Sequence, residues 1–217
     1  MKKAMNQSTL TTILNVASIC ALLLLLILIF INNGVSTRLA ASNEQRFSLT
    51  YNANRFMNGS AYLTNEVRAF AATGLQEHYD NYWNEVNTLK NRDQGVAAMQ
   101  EIGITSEEQG MIDSMYALSN QLVPLEENAM EQVQNGQQSA AIDYVYGKEY
   151  NASLTQINAL KEQFLEHLDQ RALAEVQSLG WTSTMIRVLM VITLLIVGVL
   201  QAFSMRVIRK RILTPVI

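Results

Sequence analysis

Few side chains in this 217-residue sequence are spaced for catalysis or for metal binding. A metal site normally needs three or four clustered ligands, and neither His78 nor His167 has a second histidine at helical spacing. The single cysteine, Cys20, lies in an apolar run, and neither a glycine-rich phosphate loop nor a Gly-x-Ser-x-Gly elbow occurs. The adjacent acids Glu126 and Glu127 are expected on a solvated helix face. We therefore expect a protein that is not an enzyme and holds no metal or cofactor.

The composition argues against several other classes of protein. The pI of about 5.4 disfavours a nucleic-acid binder, and one cysteine cannot form a disulfide scaffold. Only two prolines and ten glycines punctuate the chain, which favours long helices over many short strands. The mean hydropathy of +0.06 is close to that of a soluble protein, but this average conceals two apolar runs.

The two apolar runs predict transmembrane helices at 12–32 and 184–205. The first reads TILNVASICALLLLLILIFI from residue 12, and the second reads VLMVITLLIVGVLQAFSM from residue 188. A helix needs about 20 apolar residues to cross the hydrocarbon core. The alternative for the first run is a cleaved signal peptide, with Lys2 and Lys3 as its positive region. The run is longer than the roughly 7–15 residues of such segments, which favours an uncleaved anchor.

The charges differ between the middle of the chain and its flanks. Residues 33–183 hold all nineteen acids and nine bases, a net charge of −10. The flanks outside the two runs carry bases without acids: Lys2, Lys3, Arg206, Arg209, Lys210 and Arg211. The positive-inside rule then places the tail 1–11 and the C-terminus in the cytoplasm, and residues 33–183 outside.

Heptad spacing predicts the first helix of this outer region. Its apolar and small residues recur at alternating intervals of four and three, as in a packed helical seam. They are Leu49, Ala53, Phe56, Ser60, Leu63, Val67 and Phe70. Extended backwards, the track passes Arg46, which makes Arg46 a candidate for a dimer seam. The helix is expected to end near Gly74, because glycine suits the position after a helix C-terminus.

A second and a third helix follow with similar patterns. The second is predicted at 76–101, and its seam runs through Tyr79, Tyr82, Val86 and Leu89. The third begins at an N-cap on Thr105 or Ser106 and ends near residue 135. Its seam is Met111, Met115, Leu118, Leu122, Leu125 and Ala129. Pro124 lies inside this helix and predicts a kink, because proline removes a backbone hydrogen bond.

The fourth helix completes the predicted architecture. It starts at 139–146, is interrupted at Gly147 and continues into the second apolar run. Four amphipathic helices with short connections bury their stripes best as an antiparallel bundle. The sequence therefore predicts an all-α fold, in which an extracytoplasmic antiparallel four-helix bundle (33–183) lies between two transmembrane helices.

This layout resembles the sensory half of a bacterial methyl-accepting chemotaxis receptor with a four-helix-bundle input domain. The stretches that carry the resemblance in the four helices are YLTNEVRAFAATG (62–74), YDNYWNEVNTL (79–89), LVPLEENAM (122–130) and AAIDYVYGKEY (140–150). The segment RVIRKRILTPVI (206–217) is similar to the start of a HAMP linker, whose first helix carries a proline where Pro215 stands. The resemblance implies a multi-pass protein of the bacterial inner membrane, in contact with lipid and homodimeric.

The resemblance also implies an output. A chemoreceptor input module passes a signal from a small extracellular ligand through the second span to the HAMP linker. The alternative is the input half of a sensor histidine kinase or a diguanylate cyclase, because the same module heads both. The sequence given ends at Ile217, so the downstream signalling module is not within these residues. A third possibility is a membrane protein whose bundle is purely structural.

Candidate ligand-binding residues follow from the resemblance. Related bundles bind small ligands far from the membrane, between the first and fourth helices, where cations suit carboxylates. Arg68 lies near the end of the first helix, with Arg55 before it, and Lys148 and Tyr150 follow the break at Gly147. Thirteen residues at 100° each place the two arginines about 140° apart, so they cannot face one small pocket. The alternative for Arg68 is a surface pair with Thr64 or an acid.

Overall fold

The computed structural model describes residues 7–209, which are helical almost throughout and contain no strand. The helices are α1 Gln7–Thr73, α2 Gln76–Asn84, a π-helical turn Glu85–Leu89, α3 Asn91–Ile102, α4 Ser106–Gln134, α5 Gln138–Val145 and α6 Lys148–Ile208. The all-α prediction is confirmed. The bases Lys2, Lys3, Lys210 and Arg211 and the proline of the linker, Pro215, lie outside the described residues.

The chain forms two compact units, and two of its helix boundaries carry the signals that the sequence predicts. The first unit takes the described residues up to Ser42 and those from Glu175 onward, and the second is Asn43–Ala174. Gly74 has a φ of +67° and follows the C-terminus of α1, as predicted. Thr105 caps α4 reciprocally with Glu108, because each side chain bonds the other residue's backbone N–H.

The first unit contains the two apolar runs. The helical stretches Thr9–Thr73 and Gln138–Ile208 each hold a window whose length and composition suffice to cross a membrane, and 11% of each window is buried. Small polar groups lie where these helices pack. The Ser18 hydroxyl donates to the Leu14 carbonyl at 2.9 Å, and the Ser183 hydroxyl donates to Asn32 Oδ1 at 3.3 Å. Both serine side chains are buried, and each hydroxyl therefore has a hydrogen-bond acceptor in the protein.

The second unit has two apolar clusters, and α1 and α4 contribute to both. The first cluster joins α1, α3, α4 and α6, through residues such as Phe56, Met99, Ile112 and Phe164. The second joins α1, α2, α4 and α5 through Leu63, Val67, Phe70, Ala71, Tyr82, Ala129, Met130, Ala141 and Val145. The seam predicted for the first helix is therefore confirmed, with all its apolar members buried.

The prediction of one helix over 76–101 is wrong. The Lys90 N–H bonds the Glu85 carbonyl at 2.8 Å and closes the π-helical turn. Lys90 follows this turn with a φ of +49° and separates it from α3. A π turn uses an extra residue per turn, so it rotates the face that the following residues present. Glu85 is buried at 3% exposure, whereas the predicted seam residues Val86 and Leu89 are 36% and 44% exposed.

Helix α3 lies directly against the backbone of α1 because of two glycines. A Cβ on Gly95 would stand 2.7 Å from the Asn52 carbonyl oxygen and 2.8 Å from the Phe56 nitrogen. A Cβ on Gly59 would stand 2.9 Å from the Arg92 nitrogen. These separations are below any ordinary carbon contact, so only glycine permits this approach. The approach sets the position of Arg92.

The buried stripe of α4 differs from the predicted seam at alternate positions. Met115, Leu122 and Ala129 are buried as predicted, and the other buried residues of α4 are Glu108, Ile112, Glu126 and Met130. The predicted members between them are half-buried: Met111, Leu118 and Leu125. A glutamate on the stripe masks its apolar pattern in the sequence. Pro124 is inside α4, which is continuous in secondary structure, and the kink stays a prediction.

Candidate functional site

A buried carboxyl group joins three helices in the second unit. Glu126 of α4 is 4% exposed. Its Oε2 accepts a hydrogen bond from the Tyr82 hydroxyl of α2 at 2.8 Å, and its Oε1 accepts one from the Tyr150 hydroxyl of α6 at 2.6 Å. A buried carboxyl group is tolerated when both oxygens are satisfied in this way.

Burial changes the protonation of all three groups. Removal from water raises the pKa of the Glu126 carboxyl, against the opposing effects of the two phenol bonds and of Arg92 and Arg68. Burial, followed by the charge of Glu126, raises the pKa of both Tyr82 and Tyr150. The phenols therefore stay protonated, while the carboxyl group can take up a proton in a milder pH range than an exposed glutamate.

The placement of Glu126 corrects the sequence interpretation. A solvated helix face was predicted for Glu126 and Glu127, and only Glu127 is exposed. Glu126 lies four residues after Leu122 and three before Ala129, which is the spacing of the buried stripe. That spacing was the available signal, but its phenol partners lie on other helices and have no local pattern.

Arg68 ties α1 to the junction of α5 and α6. Its Nε donates to the Val145 carbonyl at 3.0 Å, and its guanidinium donates to Asn151 Oδ1 at 2.7 Å. The guanidinium carbon lies 4.8 Å from the centre of the Tyr146 ring and 5.4 Å from that of Tyr150. Both rings are within the range of cation–π attraction. Arg68 thus contacts the ring whose hydroxyl binds Glu126, and within residues 7–209 it pairs with neither Thr64 nor an acid.

The four candidate ligand residues divide into two groups. Arg68, Lys148 and Tyr150 lie together at the α5–α6 junction, where the last two line a shallow groove. Arg55 lies elsewhere, bonded to Asn91 Oδ1 at 2.9 Å and to Gln94, beside a separate groove on α1. The predicted separation of the two arginines agrees with these different partners.

Arg46 is engaged within its own chain. Its guanidinium forms an ion pair with Asp169 of α6 at 2.8 Å, and both side chains are partly exposed. A place for Arg46 in a dimer seam stays a prediction.

A cavity of about 60 Å³ lies inside the second unit, next to Glu126. Residues of both apolar clusters line it, among them Phe56, Leu63 and Met115. Its polar lining comes from four helices and consists of Ser60, Thr64, Arg92, Tyr116, Ser119, Glu126, Asn158 and Lys161. The cavity therefore combines an apolar wall with several hydrogen-bonding groups, which is typical of small-molecule sites.

The two cations of the cavity differ in their partners. Arg92 donates to the Ser119 hydroxyl at 2.8 Å and lies 4.6 Å from the centre of the Tyr116 ring. Lys161 of α6 has no carboxylate within ion-pair distance among residues 7–209. The sequence interpretation named neither cation, since each becomes notable only through the cavity that they line.

A second buried acid lies at the start of α4. Glu108 is fully buried and accepts hydrogen bonds from Arg171 at 2.8 and 3.1 Å. Burial alone would raise the pKa of Glu108, but the bonds from Arg171 and Thr105 outweigh it and lower that pKa. His167 lies 3.4 Å from Glu107 and 3.6 Å from Glu108. These contacts fix the N-terminus of α4 against α6.

The histidines and acids of residues 7–209 form no group of three or more that is placed to hold a metal ion. His78 bonds Glu66 through Nδ1 at 2.7 Å and is mostly buried.

Comparison with known proteins gives no further assignment, since no family model, curated protein or solved structure matches the chain.

Proposed function

We propose that the chain is the sensory input module of a transmembrane receptor of the methyl-accepting chemotaxis type. The observation that carries the proposal is the extent of α6, Lys148–Ile208, a single helix. Near its start it bears Tyr150, the partner of Glu126, and Lys161 of the cavity, and its later part is the second apolar run. One element therefore joins a ligand-sized interior to a candidate membrane span.

The proposal includes an architecture and a topology. The helices α1, α2 with α3, α4, and α5 with α6 pack as an antiparallel four-helix bundle outside the cell membrane. Residues 33–183 are extracytoplasmic, and both termini lie in the cytoplasm. The apolar clusters, in which α1 and α4 each meet all the other helices of the bundle, support this packing. The charge pattern of the flanks supports the orientation.

In the proposed mechanism a ligand selects one packing of the helices. A small extracellular molecule that binds one arrangement of α1, α4 and α6 more tightly than another shifts the population toward it. Helix movements of about 1–2 Å are the usual scale for such transitions. The shift passes along α6 to Arg206 and the HAMP-like segment, within a homodimer in a lipid bilayer. The kinase or cyclase alternative shares this input and differs in its output.

A chimeric receptor tests the proposal. Residues 1–205 are fused to the HAMP linker and cytoplasmic hairpin of a characterised chemoreceptor, in cells without other receptors. We expect that a library of small metabolites contains compounds that change the activity of the associated kinase. The unmodified donor receptor controls for effects that do not pass through the fused region. A chimera that reaches the membrane and controls the kinase, yet responds to no compound, would contradict a sensory role.

A further inference from the structure

We propose that the cavity beside Glu126 binds a small monocarboxylate of two or three carbons, with Lys161 as its counter-ion. This inference deepens the proposed function and rests on it for its biological meaning, whereas the binding itself is independently measurable. The cavity lies within one chain and differs from the group of Arg68, Lys148 and Tyr150 that sequence analysis favours.

The charges of the lining set the sign of the ligand. The lining holds two cations, Arg92 and Lys161, and one acid, Glu126. Arg92 also lies 4.0 Å from Asp93, which is outside the lining, so Lys161 is the cation that remains for an external anion. Both oxygens of that acid already accept phenol hydroxyls, and burial raises the pKa of its carboxyl group. The ammonium group of Lys161 has no carboxylate partner in the described part of the chain. An anion is the ligand that supplies one, through a charge-assisted hydrogen bond.

The shape of the lining sets the form of the ligand. The residues nearest the exterior are on α1 and α6, where Ala61 and Asn158 are exposed and Lys161 is half-buried. Deeper, Met115 and Leu122 of α4 are buried and apolar. A small carboxylate fits this arrangement, because its charged group would pair with the Lys161 ammonium group. Its short alkyl group would contact Met115 and Leu122 of α4.

The size of the cavity restricts the ligand to very small molecules. On this measure one water molecule needs about 10–15 Å³, so about 60 Å³ has room for roughly four to six water molecules. Acetate and propionate are close to this size, whereas benzoate would require the helices to separate. Other polar groups remain for the second carboxylate oxygen, because Ser60 and Thr64 of α1 also line the cavity.

Isothermal titration of the full chain in lipid nanodiscs tests the inference. Sodium acetate and sodium propionate are the probes, with sodium chloride added to hold the ionic strength constant. Ethanol and ethylammonium chloride are controls of similar size without a negative charge. We expect saturable binding of the two carboxylates alone. Absence of saturable binding to the folded wild-type chain would overturn the inference and identify the space as a water-filled cavity.

Variants locate the site. Lys161→Met is expected to weaken binding about tenfold to a hundredfold, the range for a lost charged hydrogen bond. Lys161→Arg is expected to retain binding, and Ser119→Leu to abolish it by filling the cavity. Lys90→Met is the matched control, because Lys90 is an exposed lysine that does not line the cavity. Equal affinity in Lys161→Met and the wild type would refute the site even if a variant such as Ser119→Leu fails to fold.

The chimeric receptor separates this inference from the proposed function. Responses to carboxylates that disappear with Lys161→Met support both. A response to another compound that is unchanged by Lys161→Met, together with no carboxylate binding, would refute the site and leave the sensory proposal standing. Carboxylate binding to the chain without any response of the chimera would refute the sensory proposal and leave the site standing.

Discussion

At the scale of single residues, one glutamate determines the character of the interior. Glu126 holds α2, α4 and α6 together through two phenol hydroxyls and forms part of the cavity wall. A carboxyl group in such a position is costly to desolvate, and its partners are equally costly to leave unpaired. Replacement of Glu126 is therefore expected to weaken the packing of α2, α4 and α6 at the same time.

Glu126→Ala is expected to lower the free energy of unfolding by about 2–5 kcal/mol, because two buried phenol hydroxyls lose their acceptor. Glu127→Ala is the matched control, since Glu127 is adjacent and exposed, and should stay within about 0.5 kcal/mol of the wild type. Urea unfolding of the full chain in nanodiscs, followed by circular dichroism, measures both. Equal losses for the two variants would contradict the buried position of Glu126.

Glu126→Gln is expected to change how stability depends on pH. The pKa of Glu126 is raised in the folded chain, so its contribution is fully present below the ordinary carboxyl pKa and is lost as pH rises through the raised value. Glutamine cannot lose a proton. The stability of the wild type relative to Glu126→Gln should therefore fall as pH rises from the ordinary carboxyl range toward the raised pKa of Glu126.

Unfolding of both proteins at several pH values measures this difference. The acid Glu108, whose pKa is lowered, is common to both chains and cancels in the comparison. The other groups facing Glu126 are the phenols of Tyr82 and Tyr150 and the cations Arg92 and Arg68, which keep one protonation state over this range. A difference that is constant with pH would show that Glu126 is ionised throughout.

At the scale of elements, the contact between α1 and α3 depends on two glycines, which have no side chain. Gly95 and Gly59 allow the two helices to touch through their backbones. This contact places Arg92 at the cavity and brings Asn91 to Arg55. The buried Glu85 completes the arrangement, because its carboxylate accepts hydrogen bonds from both the backbone and the side chain of Asn91.

Gly95→Ala is expected to lower the free energy of unfolding by about 1–3 kcal/mol, since its Cβ would collide with the backbone of α1. Gly110→Ala is the control, because Gly110 also lies inside a helix but has open space around it. There alanine should be neutral or stabilise by up to about 1 kcal/mol through its higher helix propensity. Thermal unfolding of the two variants distinguishes these outcomes, and stabilisation by Gly95→Ala would contradict the close approach.

At the scale of the whole molecule, the proposed topology has a direct test. Alkaline phosphatase, which is active only after export, is fused after residue 100 and, in a second protein, after residue 209. We expect activity from the first fusion and none from the second, because the basic flanks favour the cytoplasm. Activity of the second fusion, or inactivity of the first with normal expression, would contradict the proposed orientation.

The sequence predicts the elements of this molecule better than its interior. Heptad spacing predicts the buried seam of α1, Gly74 predicts its end, and Thr105 predicts the start of α4. Each of these signals depends only on residues that are close together in the sequence. The sequence analysis did not predict the π turn before Lys90. A single additional residue in one helical turn does not require a particular residue type that could be recognised in the sequence. The phenol partners of Glu126 were missed because they come from α2 and α6, which only tertiary packing brings together.

The distribution of the helices between the two apolar clusters implies unequal resistance to local unfolding. Helices α1 and α4 contribute to both clusters, whereas α5, of eight residues, packs into one and is flanked by breaks at both ends. Segments with few anchoring contacts open before the rest of a domain. Amide protons of α5 should therefore exchange with deuterium sooner than those in the middle of α4. Detachment of α5 would uncover Arg68, whose Nε bonds the Val145 carbonyl at the end of that helix.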